Sequence, residues 1–118
     1  MNGNKCRALI DTGASKTVIG KTLSLKLNLE EFVNPNDNQM TGIHPGEMNV
    51  TFARVETIGF GKLIFKNLIT GLIEMEHVNM QYASLKIKPF DLTIGGDLLF
   101  MGSAVIDYEN KFLILKKQ

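Results

Sequence analysis

The chain has 118 residues, 13 Lys and Arg against 12 Asp and Glu, and 44% hydrophobic residues. A net charge of +1, with no basic run longer than Lys116-Lys117, lacks the electrostatic footprint of a nucleic-acid or anionic-membrane binder, so no nucleic-acid partner is expected. The longest nearly apolar stretch is nine residues, Leu98 to Ile106, broken by Gly102 and Ser103, far short of the ~20 a membrane span needs, so no membrane partner is expected either.

A domain of this size buries roughly two-thirds of its unfolded surface, enough for one core, so a site built from two lobes must borrow one from a partner. Residues 1–118 therefore read as a single domain. Cys6 is the only cysteine, which rules out an intramolecular disulfide and Cys/His zinc spacings; neither metal nor cofactor is expected. The first five residues hold no apolar run of the kind a secretory signal uses, and a reducing compartment, the cytoplasm, is expected.

In chain order, Asn2-Gly3-Asn4 is a tight-turn signal, and Cys6 to Ile10 after it reads as a strand running into Asp11. A hairpin turn there leaves one of its two strands unaccounted for, so a truncated first strand or a sheet completed by another chain is expected. Thr17-Val18-Ile19 is a short β-prone run. Leu23, Leu25, Leu27 and Leu29 alternate, yet Leu23/Leu27 and Leu25/Leu29 are also i,i+4 pairs, and periodicity leaves strand and helix open. From Val33 to Asn49 the composition turns to Asn, Pro, Gly, Asp and Gln, a long polar connection.

Asn49 to Ile58 and Lys62 to Ile73 predict a long hairpin turning at Gly59-Phe60-Gly61. After a less regular stretch, Leu92-Thr93-Ile94 is a buried-strand signal ending at Gly95-Gly96. Asp97 is expected to cap a short helix over Leu98 to Met101, with Gly102 at its end. Ala104 to Tyr108 and Phe112 to Leu115 close the chain as a hairpin around Glu109-Asn110.

The sharpest chemical feature is Leu9-Ile10-Asp11-Thr12-Gly13-Ala14-Ser15, a carboxylate delivered at the end of an apolar strand and followed by small and hydroxyl residues. Taken alone, Asp11 also fits an ordinary Asx-turn or helix cap. Gly20-Lys21-Thr22 looks like the end of a phosphate-binding loop, but that loop needs a glycine five residues before Gly20, where Ser15 stands. His77 stands in no partner pattern and reads as a surface histidine. Cys6, alternate to Ala8 in the first strand, reads as a small buried side chain, and Asp107 as turn chemistry.

Asp11 to Ser15 with Thr17-Val18-Ile19 behind it, then Leu92-Thr93-Ile94-Gly95-Gly96-Asp97-Leu98-Leu99, then Ala104-Val105-Ile106-Asp107-Tyr108 resembles the retropepsin-like aspartic proteases, in their bacterial and cellular single-lobe form. The resemblance is specific at both ends of the chain and vague between Glu30 and Tyr82. It implies a mainly β, closed barrel-like acid-protease lobe with one or two short helices. It also implies an aspartic endopeptidase active as a homodimer on peptide or protein substrates, each lobe supplying one Asp-Thr-Gly.

On that resemblance Asp11 is the catalytic residue, Thr12 locks the two loops together across the dimer axis, and Gly13 lines the substrate site. Ala14 and Ser15 match the tail of the motif, where Ser15 can hydrogen-bond the carboxylate from outside. Gly42, Ile43, His44 and Gly46 fall where such proteins carry a flap, although His44-Pro45 departs from the Gly-rich viral form. Gly95 and Gly96 are expected to permit a tight crossing beneath the active-site loop, and Asp97 is structural rather than reactive. The rival expectation keeps the fold without the chemistry: a non-catalytic dimerisation or interaction module, or an incomplete lobe.

Overall fold

The protein is described by a computed structural model over residues 1–33 and 51–116. Within them the chain runs β1 (Ala8–Ile10), β2 (Val18–Gly20), α1 (Lys21–Leu27), β3 (Glu30–Val33), β4 (Thr51–Phe60), β5 (Leu63–Ile73), α2 (Met75–Ala83), β6 (Leu92–Ile94), α3 (Gly96–Met101), β7 (Val105–Asp107) and β8 (Phe112–Ile114). The fold is mainly β with short helices. Six strands form one sheet in the order β1-β6-β2-β5-β4-β3, and β7 and β8 form a separate hairpin. Among the described residues the large sheet keeps two free edges, β1 and β3, instead of closing into a continuous barrel.

The position of β6 organises the molecule. It slots between β1, to which it is parallel, and β2, to which it is antiparallel. The segment from Asp11 to Thr17 must therefore arch over the end of β6 to connect the two strands on either side of it. All three residues of β6 are buried, which accounts for an apolar strand too short to show alternation.

The β4/β5 hairpin pairs Phe60 with Leu63 across a two-residue loop whose first residue, Gly61, has a φ of +61°, a conformation glycine adopts without steric cost. Ile19, Ile94 and Leu98 are fully enclosed members of the core cluster, which also holds Phe65, Leu68, Leu72 and Leu92. Phe32 stacks on Phe52 at a centroid distance of 5.9 Å, tying β3 to the sheet.

The leucine-rich segment resolves as a helix. In α1 Leu23 is buried and Leu25 is 75% exposed, as the i,i+4 pairing requires, and Asn28 ends the helix at a left-handed φ of +53°. The irregular stretch after Ile73 contains α2, which the chain-order reading did not assign. Its inward face is Met75, Val78, Asn79 and Tyr82, at helical spacing but with only three apolar members. The helix is anchored instead by a polar clamp: Asn79 donates through Nδ2 to the Phe90 carbonyl (3.1 Å) and accepts at Oδ1 from the Phe90 N–H (3.0 Å). Tyr82 packs edge-on against the Phe90 ring at 5.5 Å.

Two further details differ from expectation. α3 begins at Gly96, so Asp97 lies inside its first turn and Gly95 takes the cap position without a side-chain bond. Gly102 ends α3 at a φ of −88°, outside the left-handed region; an added Cβ there would lie 2.8 Å from Leu115 Cδ2, the movable end of a side chain.

Candidate active site

Asp11 sits at the C-terminal end of β1, where its backbone N–H donates to the Ile94 carbonyl at 2.9 Å. The chain then turns sharply: Gly13 N–H donates to Asp11 Oδ1 (3.0 Å) and Ala14 N–H to the Asp11 carbonyl (3.2 Å). Asp11 is therefore an Asx-type turn residue by local geometry, and the same bond presents its carboxylate to solvent. The side chain is half-buried, while Thr12 and Gly13 are exposed at the crest. A Cβ at Gly13 would lie 3.3 Å from Oδ1, so a side chain there would crowd the carboxylate.

Beneath the crest the arch is riveted to the end of β6 and the start of α3. Gly96 N–H donates to the Ala14 carbonyl (2.7 Å) and Asp97 N–H to the Ser15 carbonyl (3.1 Å). Thr17 is fully buried and its hydroxyl does two jobs, donating to Asp97 Oδ1 at 2.8 Å and accepting from Gly95 N–H at 3.1 Å. Asp97 Oδ1 also accepts from the N–H groups of Thr17 (2.9 Å) and Leu98 (2.7 Å). An anionic oxygen with three donors makes strong, charge-assisted bonds, and its place in the first turn of α3 suits the helix dipole. Asp97 thus spends its carboxylate on the arch.

Gly95 is where the arch crosses the end of β6. A Cβ there would stand 2.5 Å from both the carbonyl carbon and oxygen of Lys16 and 2.9 Å from Thr17 N, all backbone atoms. At Gly96 the nearest atom is the Ala14 carbonyl oxygen at 3.4 Å, an ordinary contact.

The structure thus gathers Asp11, Thr12, Gly13, Ala14, Ser15, Gly95, Gly96 and Asp97 at one end of the sheet. Thr17 joins them; its sequence signal was a β-prone run rather than a hydroxyl pointing down. Gly42, Ile43, His44 and Gly46 lie outside the described residues. His77 is exposed on α2, and Cys6 is half-buried, its thiol pushed above the ordinary value chiefly by burial. Among the described residues no group of three or more His, Cys, Asp or Glu is placed to hold a metal, and no helix is long and apolar enough to cross a membrane.

Beside Thr12 the surface is concave and largely apolar, a depression of about 490 Å³ between Thr12, Leu99, Phe100, Ser103, Ala104 and Ile106. Phe100, 86% exposed, projects from α3 at its rim.

Comparison with known proteins agrees with this architecture. Residues 1–90, well over half the chain, match the family model described as gag-polyprotein putative aspartyl protease. The fold is similar to the crystal structure of the retroviral protease-like domain of Ddi1 from Leishmania major, with a TM-score of 0.59 at 18% identity, over 98% of this chain and 82% of that one. No curated protein matches the chain. The chain belongs to the retroviral-type aspartyl protease family and has its retropepsin-like fold.

Proposed function

We propose that the protein is an aspartic endopeptidase active as a homodimer, in which two copies of Asp11 face one another across a two-fold axis. The observation that carries this reading is Asp11 itself: a lone, half-buried carboxylate on an exposed crest, held by Gly13 N–H and braced from below by the Thr17–Asp97–Gly95 network. These 118 residues contain one Asp-Thr-Gly, so a two-carboxylate site takes a second copy of it. The apolar hollow beside Thr12 supports the same reading, because it is a surface a second copy would cover.

In such a pair both carboxyls cannot be ionised at close range, so one is held protonated and the two share a single proton. The ionised member takes a proton from a water as it attacks the scissile carbonyl, and the protonated member hydrogen-bonds the carbonyl oxygen. The pair then carries a proton to the leaving amine. Thr12 holds the two crests together, and Gly13 leaves room for a substrate backbone bound in extended form.

Cleavage of a peptide library by wild-type protein, with an Asp11→Asn variant alongside, tests the assignment. Loss of cleavage in a variant with unchanged circular dichroism is the expected result; undiminished proteolysis would sink it.

A further inference from the structure

The start of β5 and the last turn of α3 stand side by side and leave a groove of about 750 Å³ between them. One wall is the run from Lys62 to Lys66; the other is Phe100 and Met101. Strand alternation divides the first wall: Leu63 and Phe65 turn inward, Phe65 as a member of the core cluster, while Lys62, Ile64 and Lys66 face out. Ile64 is 55% exposed, Met101 39% and Phe100 86%, so three large apolar side chains share one groove. Apolar residues scattered singly over a surface are ordinary, but a contiguous group rimmed by polar ones marks an interaction site. Phenylalanine and methionine are also the residues that interface centres favour, and the unbranched Met101 can adapt to what it meets.

The rim has one sign of charge. Lys62 and Lys66 are the only charged residues of the lining, both exposed. Lys66 stands opposite Thr57 in the hairpin, and neither lysine makes a salt bridge among the described residues. Four residues of extended chain separate them by roughly 13 Å, with Ile64 midway. Phe100 is the single residue this groove shares with the hollow beside Thr12, so the groove is a separate surface from the one assigned above to a second copy.

We propose that this groove is a docking site for an extended acidic segment of a partner protein. The segment seats one large apolar side chain between Ile64, Phe100 and Met101 and sets a carboxylate two residues to either side of it, one over Lys62 and one over Lys66. A second copy is the wrong occupant: a two-fold contact along the groove brings Lys62 and Lys66 against their own counterparts. A lipid surface fits no better, because the site is concave and two lysines fall short of the basic cluster that holds a segment to anionic lipid.

The chain has no tryptophan, so a tryptophan-bearing peptide reports its own burial. The probe is an acetylated heptapeptide amide reading serine, glutamate, leucine, tryptophan, leucine, glutamate, serine; its control carries lysine in place of both glutamates. We expect a saturable blue shift of the acidic peptide's emission with wild-type protein and none of the control's. Joint Lys62→Glu and Lys66→Glu substitution should exchange the two preferences. Ile64→Ser, which leaves the hollow beside Thr12 untouched, should weaken binding of the acidic peptide about tenfold. A statine-type inhibitor should leave that peptide bound, and wild-type protein should not sediment with phosphatidylserine vesicles.

Any of four results would overturn the proposal. They are no saturation, equal binding of the control by wild-type protein, displacement by the inhibitor, which would put the peptide in the Asp11 cleft, or vesicle sedimentation that the double charge reversal removes, which would give the groove to a lipid surface. If the double reversal fails to fold, the two peptides against wild-type protein decide alone. The proposal does not rest on the paired-Asp11 reading: Asp11→Asn should bind the acidic peptide as wild type does, whatever its effect on cleavage.

Discussion

Replacing Gly95 with alanine should be among the most damaging single-methyl additions the described fold admits, while the same change one residue later should cost almost nothing. At φ −99° and ψ −176° the backbone of Gly95 suits alanine, so the penalty is purely one of space. The new Cβ would lie 2.5 Å from the Lys16 carbonyl carbon and oxygen, more than an ångström inside normal contact. Neither side yields easily: Gly95 N–H is bonded to Thr17 Oγ1, and Thr17 carries the arch on to Asp97 and, through its carbonyl, to Gly71 N–H at 2.9 Å.

Overpacking against backbone costs about 3 kcal/mol at the upper end of its usual range, and the entropy alanine removes from the unfolded chain returns about 0.5 kcal/mol. A net loss of about 2.5 kcal/mol corresponds to roughly 10 °C in Tm for a chain of this length. Gly96→Ala meets nothing closer than 3.4 Å and adds a better helix former to α3, so its effect should stay within about 1 kcal/mol of zero. Thermal unfolding followed by circular dichroism, with all variants at one protein concentration because self-association shifts Tm, measures both. Equal effects from the two substitutions would refute the claim that the arch crosses the sheet at Gly95.

Thr17→Val should cost about 2–4 kcal/mol, because it removes a charge-assisted bond to Asp97 and strands the buried N–H of Gly95, whereas Thr17→Ser, which keeps the hydroxyl, should recover most of the loss in urea unfolding. Asp107 is held below the ordinary carboxylate value, first by the Asn110 side chain donating at 2.9 Å and then by the Asn110 N–H at 3.1 Å. A depressed folded value means that its contribution to the β7/β8 turn is complete above the unfolded carboxylate value and fades as pH falls through the folded one. An NMR pH titration of the Asn110 amide should therefore show its midpoint on the acid side of a free aspartate; a midpoint at the free value would count against the turn.

What the sequence made legible follows from where each signal is local. The β7/β8 turn and the wholly buried β6 are punctuated by Glu109-Asn110 or by glycine, and physics acting over a few residues suffices to place them; the β4/β5 turn falls at Gly61-Lys62, beyond the Gly59-Phe60-Gly61 read from the sequence, because Gly59 and Phe60 stay in the ladder opposite Ile64 and Leu63. α2 was not legible because tertiary contacts hold it: its main anchor is the side chain of Asn79 on the backbone of Phe90, eleven residues on, and three apolar positions per two turns make a weak period. The leucines of α1 fitted both periods, and only burial of Leu23 against exposure of Leu25 separates them.

At the candidate site the carboxylate was readable from Leu9-Ile10-Asp11, but the role of Thr17 was not, because its partners lie about eighty residues away and depend on β6 threading between β1 and β2. The same threading distinguishes Gly95, pressed against Lys16, from Gly96, which has room; in the sequence the two glycines are alike.

The most direct test of the paired-Asp11 site is a mixing experiment. Wild-type chains and Asp11→Asn chains are unfolded together in equal amounts, refolded, and assayed for peptide cleavage against wild type refolded alone at the same total concentration. If the site needs one Asp11 from each of two copies, random pairing leaves about one dimer in four with both, and activity should fall to about a quarter. Activity at half, tracking the number of wild-type chains, would mean that each chain works alone and would contradict the account.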